Sequence, residues 1–127
     1  MKFVLIAEND KAHQVLLRKV FENLGFATYE AANCDQALGV LKDRPIDLIV
    51  AAPTLPGGDF LKKVRDSHTE KVPFVFLADV DNAKTLAAHA EAFDGYLLKP
   101  VTPARAEAKI ADLFPETTAR RKSARAM

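Results

Sequence analysis

The chain has 127 residues, which is enough for one domain with a single hydrophobic core. Its hydrophobic fraction of 49% and charged fraction of 28% are ordinary for a globular protein, and this excludes a wholly disordered chain. The net charge of +1 is unevenly spread, because residues 116–127 hold only one acidic residue against four basic ones: Arg120, Arg121, Lys122 and Arg125. We therefore expect a folded domain over residues 1–115 and a basic, disordered tail over residues 116–127.

The first strands and helices can be read from hydrophobic spacing. Residues 3–7 form a short apolar run, which is typical of a strand buried on both faces. A helix that ends at Gly25 follows, because apolar residues recur at i, i+3, i+4 and i+7: Leu17, Val20, Phe21 and Leu24. Residues 26–31 predict a second strand. Asn33 and Gln36 resemble a capping box that opens a helix through Leu41, which Pro45 ends.

The second half repeats the alternation. Residues 46–51 predict a third strand, and Gly57, Gly58 and Asp59 open a short helix. Residues 74–77 predict a fourth strand, followed by an alanine-rich helix over residues 82–92. Residues 96–98 predict a fifth strand, and Thr102 with Pro103 caps a last helix through Phe114. Five buried strands alternating with five helices predict a single α/β domain built around a parallel sheet.

The sequence from Asp47 to Asp59, DLIVAAPTLPGGD, together with Lys99-Pro100 after the fifth strand, resembles the receiver domains of response regulators in two-component signalling. The resemblance covers residues 2–114 and implies a flavodoxin-like fold with strand order 2-1-3-4-5. In receivers the third strand ends in a phosphoryl-accepting Asp, four residues before a loop proline. Counting back four residues from Pro56 reaches Ala52, whose methyl group cannot accept a phosphoryl group.

The resemblance also implies that the divalent-ion site has been reduced. Receivers place a pair of acidic residues after the first strand to bind Mg²⁺, and the matching residues are Glu8 and Asn9. Asp10 follows, and we interpret it as the N-cap of the first helix. The hydroxyl that contacts the phosphoryl group in receivers is replaced by Ala78, with Asp79 next to it. We therefore predict no metal site and no cofactor.

Lys99 is the receiver active-site residue that this chain retains, and the resemblance implies a cis Lys99-Pro100 bond. With the Asp missing, we expect Lys99 to pair with Glu8 across the cleft. Tyr96 matches the aromatic residue whose rotation in receivers follows the missing hydroxyl. Without that hydroxyl we expect Tyr96 to stay in one rotamer, facing inward or outward.

No other chemistry stands out in the sequence. His13, His68 and His89 have no metal-ligand spacing, and we interpret each as a solvent-facing residue. Cys34 is alone, which excludes an internal disulfide and fits a reducing compartment; we expect a half-buried helix residue. No apolar run reaches the roughly 18 residues of a membrane span, and the N-terminal apolar run is too short for a signal peptide. We therefore expect a cytoplasmic protein that is not an enzyme.

Three functions are compatible with the sequence. The first is a stand-alone, phosphorylation-independent signalling adaptor that binds a protein partner, or itself, through the fourth predicted helix, the fifth strand and the fifth helix. The residues expected on that face are His89, Phe93, Tyr96 and Arg105. The second is a receiver still phosphorylated on a substitute aspartate, Asp10 or Asp79. The third is an adaptor that binds nucleic acid or membrane phosphates through the tail, although four basic charges would bind weakly and no small-molecule substrate is indicated.

Overall fold

A computed structural model describes residues 2–67, 72–79 and 94–114. The strands are β1 (Lys2–Ala7), β2 (Phe26–Ala31), β3 (Leu48–Ala51), β4 (Phe74–Ala78) and β5 (Gly95–Leu98). The helices are α1 (Lys11–Asn23), α2 (Cys34–Asp43), α3 (Phe60–Ser67) and α4 (Pro103–Leu113). The helix predicted over residues 82–92 and the tail lie outside the described residues, so α4 is the helix predicted as the fifth.

All five strands pair in parallel in the order β2-β1-β3-β4-β5. This is the flavodoxin-like order that the receiver resemblance implies, and it is confirmed. In such a sheet the carboxyl ends of the strands lie along one edge, where ligand sites form. Residues 7–9, 51–53 and 78–79 therefore meet at the same edge.

The sheet is buried on both faces, as the apolar runs predict. Successive residues of β1 alternate between two cores: Val4 and Ile6 pack with α1 and α4, whereas Leu5 and Ala7 pack with α2 and α3. All four of these side chains are fully buried. The largest favourable contribution to stability therefore comes from apolar burial on both sides of the central strands.

Each described helix begins at a polar capping residue, as the sequence indicates. The Asp10 carboxylate accepts hydrogen bonds from the backbone N–H groups of Ala12 and His13 (3.0 and 3.3 Å), so its predicted capping role is confirmed. Thr102 caps α4 in the same way through the Arg105 N–H (3.2 Å), with Pro103 in the first turn.

Asn33 caps α2, but the predicted capping box is modified. The Asn33 side chain accepts from the Gln36 N–H (2.9 Å), as expected. The Gln36 side chain accepts from the N–H of Ala32 (2.8 Å), one residue before the cap. In this capping box, the returning hydrogen bond therefore goes to the residue before the N-cap and not to the N-cap itself.

The third strand is two residues shorter than predicted, and its start shows why. Asp47 lies just before β3, and its carboxylate accepts a hydrogen bond from the Phe3 N–H (2.8 Å) while its own N–H donates to the Phe3 carbonyl (2.8 Å). A side chain thus replaces the backbone acceptor of the sheet ladder at this point. The regular strand begins only at Leu48.

The two ends of the described chain lie side by side. The Lys2 ammonium sits 4.7 Å from the centroid of the Phe114 ring, a cation–π contact between the first residue of β1 and the residue that follows α4. Phe114 also packs against Phe26 (ring centroids 6.3 Å apart). Residues 2 and 114 are therefore held at the same end of the fold.

Candidate functional site

Two alanines occupy the ends of neighbouring strands at the carboxyl edge of the sheet. Ala52 directly follows β3 and is 3% exposed, and Ala78 is the last residue of β4 and is fully buried. The Ala52 N–H donates to the Ala7 carbonyl (2.9 Å), which fixes it next to β1. Neither methyl group has a donor or an acceptor, so neither can bind or accept a phosphoryl group.

Glu8 follows β1 at the same edge and is 3% exposed. Its backbone is fixed twice, because its N–H donates to the Ala31 carbonyl (2.9 Å) and its carbonyl accepts from the Gln14 side-chain amide. One carboxylate oxygen, Oε2, is buried without a hydrogen-bond partner. Asn9, next along the chain, is exposed.

Glu8 contacts a residue that the sequence did not single out for this site. His13 Nδ1 lies 3.5 Å from Glu8 Oε1, and the His13 side chain is only 12% exposed. The expectation that His13 faces solvent is therefore wrong. The reason is that His13 lies in the first turn of α1, where its ring contacts the buried Glu8 carboxylate that follows β1. His68 and His89 lie outside the described residues.

Lys99 does not pair with Glu8 as predicted. Lys99 is exposed, and among the described residues no ion pair of 4.0 Å or less joins its ammonium to the Glu8 carboxylate. The Lys99 N–H donates to the Ala78 carbonyl (2.8 Å), so the backbone stays next to β4 while the side chain extends to solvent. The Lys99-Pro100 bond is cis, as the resemblance implied.

The donors at this edge do not match what Mg²⁺ requires. Magnesium needs oxygen ligands in a near-octahedral arrangement. Here one buried carboxylate faces an imidazole nitrogen, and the strand β3 contributes a methyl group. Within the described ranges no group of three or more His, Cys, Asp or Glu side chains could hold a metal ion. We therefore assign no chemical step to a magnesium ion in this chain.

The two aspartates considered as substitute acceptors have different environments. The Asp10 carboxylate is committed to capping α1 through Oδ1. Asp79 follows Ala78 directly and is exposed at the carboxyl edge.

The loop after Ala52 is anchored to the start of α2. Gly57 and Gly58 both have positive φ (109° and 108°), a backbone conformation that other residues rarely adopt. The Cys34 N–H donates to the Pro56 carbonyl (2.8 Å), and a Cβ added to Gly57 would lie 2.9 Å from the Cys34 Cβ. Cys34 is fully buried rather than half-buried, and this burial raises the pKa of its thiol.

The predicted partner-binding face is described only in part, since His89 and Phe93 lie outside the described residues. Tyr96 and Leu98 point outward from β5 and are 37% and 36% exposed. Together with residues of α4 they line a surface groove of about 410 Å³, whose charged members are Arg105, Lys109 and Asp112. Tyr96 is therefore in the outward orientation, one of the two that the sequence left open.

The fold and its similarity to known proteins define both the structural class and the family of this chain. The architecture is a flavodoxin-like α/β domain, and residues 4–111 match the response regulator receiver domain. The chain therefore belongs to the response regulator receiver family. Receiver domains are signalling modules, and they interact with other signalling proteins.

Individual relatives agree with this assignment. The chain is 31% identical over 115 residues to the phosphate regulon transcriptional regulatory protein PhoB of Escherichia coli, covering 84% of this chain and 49% of PhoB. It is 27% identical over 117 residues to the chemotaxis protein CheY-3 of Vibrio cholerae, covering 87% of this chain and 90% of CheY-3. The chain thus spans about half the length of PhoB and most of CheY-3.

Solved structures show the same fold. A two-component response regulator from Clostridium difficile superposes with a TM-score of 0.79 at 27% identity, covering 92% of this chain and 98% of that one. A response regulator from Chloroflexus aurantiacus gives 0.78 at 26% identity, covering 87% and 95%. As for membrane association, none of the helices within the described ranges is long and apolar enough to cross a bilayer.

Proposed function

We propose that this receiver domain is not phosphorylated at the end of β3 and acts as a phosphorylation-independent protein-binding module in signalling. The observation that supports this most directly is the buried methyl group of Ala52, which follows β3 where the resemblance implies an acceptor aspartate. Ala78 removes the hydroxyl at the end of β4. Loss of both groups, in a chain whose core is intact, favours retained binding over retained chemistry.

The binding surface that we propose is the face formed by β5 and α4; the predicted fourth helix, with His89 and Phe93, lies outside the described residues. Two of the three large hydrophobic side chains that are exposed in the described chain, Tyr96 and Leu98, lie on this face. Arg105 and Lys109 border the groove beside them. Aromatic and arginine side chains are enriched among residues that carry binding energy at interfaces. The partner is a signalling protein or a second copy of this chain.

The proposed location is the cytoplasm. Cys34 is a buried, free thiol, which is compatible with a reducing compartment.

A phosphorylation experiment tests the proposal. The full chain is incubated with acetyl phosphate and Mg²⁺, and the intact mass is compared with that of an untreated sample. We expect no increase by a phosphoryl group, since neither Ala52 nor Ala78 can accept or bind one. A receiver domain that carries the acceptor aspartate at the end of its third strand serves as the positive control for the donor and the conditions.

The same experiment tests phosphorylation on a substitute aspartate. A mass increase that maps to Asp79 or Asp10, and that is lost in Asp79→Asn or Asp10→Asn, would replace the adaptor function with that of a phosphorylated receiver. The Asp10 carboxylate already accepts two backbone hydrogen bonds as the N-cap of α1, so a phosphoryl group on Asp10 would disrupt the start of that helix. The tail lies outside the described residues, and binding of nucleic acid or membranes through it remains an expectation from the sequence.

A further inference from the structure

The carboxylate of Glu8 presents a charge that must be balanced inside the fold. Glu8 is 3% exposed, and its Oε2 is buried without a hydrogen-bond partner. Leaving a carboxylate buried and unpaired is strongly unfavourable, so such groups are paired, bound to a metal or protonated. Lys99 makes no ion pair with it, and the donor set does not fit magnesium. Among the described residues, the basic side chain within ion-pair distance of Glu8 is that of His13.

Separate backbone anchors hold the two side chains in place. Glu8 is fixed by hydrogen bonds to β2 and from Gln14, through the Ala31 carbonyl and the Gln14 side chain. His13 is fixed in the first turn of α1, because its N–H donates to the capping carboxylate of Asp10 (3.3 Å). The 3.5 Å distance between Glu8 Oε1 and His13 Nδ1 therefore depends on the backbone conformation of the short connection between β1 and α1.

The two facing atoms need a proton between them. His13 Nδ1 is buried, lies 3.5 Å from Glu8 Oε1 and has no hydrogen-bond partner among the described residues. An ionised carboxylate can only accept hydrogen bonds, and an unprotonated Nδ1 would turn a second lone pair toward it. A proton on Nδ1 gives the carboxylate a donor and gives Nδ1 an acceptor. The hydrogen bond made by one ring nitrogen fixes the protonation of the other in a neutral imidazole.

We propose that Glu8 and His13 form a proton-sharing pair, with the proton on His13 Nδ1 directed at Glu8 Oε1. Helix α1 thus supplies the hydrogen-bond donor for the buried carboxylate at the carboxyl edge. The inference does not depend on the proposed binding function, because it concerns the internal charge balance of the site.

Nitrogen NMR of the histidine side chains in the full chain tests this pair directly. The His13 signals are assigned as those missing from the spectrum of His13→Gln. We expect a protonated Nδ1, whether Nε2 is protonated or not. A neutral ring with its proton on Nε2 and a bare Nδ1 would overturn the proposal.

A metal titration in the same experiment separates a proton from a cation. We expect the His13 ring signals to stay in place when Mg²⁺ or Zn²⁺ is added at millimolar concentration. A shift of these signals that is absent in Glu8→Gln would show that a metal ion, and not a proton, joins the two side chains.

Substitution of Glu8 tests whether the carboxylate is the cause. Glu8→Gln keeps the shape of the side chain, but its amide can either accept from Nδ1 or donate to it, so we expect a mixture of the two His13 tautomers. Glu30→Gln is the matched control. Glu30, on β2, forms a surface ion pair (3.4 Å) with Arg18, which lies on α1 as His13 does. An unchanged, fully protonated Nδ1 in Glu8→Gln would overturn the proposal, as would the same change in Glu30→Gln.

Discussion

At the scale of single residues, the site is defined by two methyl groups beside one carboxylate. Ala52 and Ala78 end neighbouring strands, and Glu8 follows the strand on the other side of β3. An acceptor carboxylate at position 52 would thus come next to a carboxylate that is already buried. Like charges a few ångströms apart in a partly buried setting cost on the order of 1 kcal/mol or more.

We therefore predict that Ala52→Asp alone gives a folded protein that binds Mg²⁺ weakly and is phosphorylated slowly. Asn9 adds no charge, and Ala78 adds no hydroxyl. The measurement is the rate of phosphoryl transfer from acetyl phosphate, followed by intact mass. The combined variant Ala52→Asp/Asn9→Asp/Ala78→Thr is the comparison and should react faster. A single variant that reacts as fast as the combined variant would show that Asn9 and Ala78 matter little.

Cys34 leads to a prediction about reactivity and pH. Burial raises the pKa of its thiol, with Lys63 acting in the opposite direction and Asp35 adding to the rise. We expect native Cys34 to react with iodoacetamide more slowly than the same residue in denatured protein, since the thiolate is the nucleophile. A thiol whose pKa is raised by folding stabilises the fold fully below its unfolded pKa and loses that contribution as pH rises through the folded value. Equal alkylation rates in native and denatured protein would contradict the burial.

At the scale of elements, the loop between β3 and α3 depends on its contact with α2. Gly57→Ala and Gly58→Ala both place a side chain at positive φ, which costs on the order of 1–3 kcal/mol. Only at Gly57 would the new Cβ also meet the Cys34 Cβ, at 2.9 Å, whereas at Gly58 it would meet the movable end of Lys63 at 3.3 Å. We predict that Gly57→Ala lowers the free energy of unfolding more than Gly58→Ala, as measured by urea denaturation. Equal losses would mean that the loop moves away from Cys34 at little cost.

Tyr96, on strand β5, allows a test of the proposed binding face. We expect Tyr96→Ala to weaken partner binding or self-association at least tenfold, since truncating an aromatic residue at an interface centre costs about 2 kcal/mol or more. Circular dichroism should remain native, because the side chain is 37% exposed. Leu16→Ala is the matched control, a similarly exposed residue (39%) on α1. Loss of binding in Leu16→Ala alone would move the interface to α1, near His13 and Arg18.

The elements could be predicted from the sequence because their signals are local. Apolar runs give the strands, and Asp10, Asn33 and Thr102 mark helix starts by their capping side chains. The strand order came from the family resemblance, since no local pattern specifies which strands are neighbours. The contact of Glu8 with His13 was missed because it depends on how β1 turns into α1. Periodicity within the helix carries no information about a residue that precedes it.

At the scale of the whole molecule, the charge arrangement predicts little response to divalent ions. The resemblance implies three carboxylates in one cleft of a receiver, whereas the carboxylate that is buried at this edge in the described chain is that of Glu8, and it faces His13. We expect the melting temperature to change little when Mg²⁺ is added at millimolar concentration or removed with EDTA. Differential scanning calorimetry measures it, and Ala52→Asp/Asn9→Asp is the comparison expected to gain a Mg²⁺-dependent rise. A clear rise in the unmodified chain would point to a metal site formed by other residues.

The contact between Lys2 and Phe114 also determines how this domain can be joined to other proteins. Because the ammonium lies 4.7 Å from the ring, the polypeptide enters and leaves the described fold at neighbouring points. A domain with adjacent ends can be inserted into a surface loop of a host protein, or circularly permuted through a short linker, without stretching either chain. This receiver fold is thus suited to use as an insert whose two junctions with the host lie within reach of one side-chain contact.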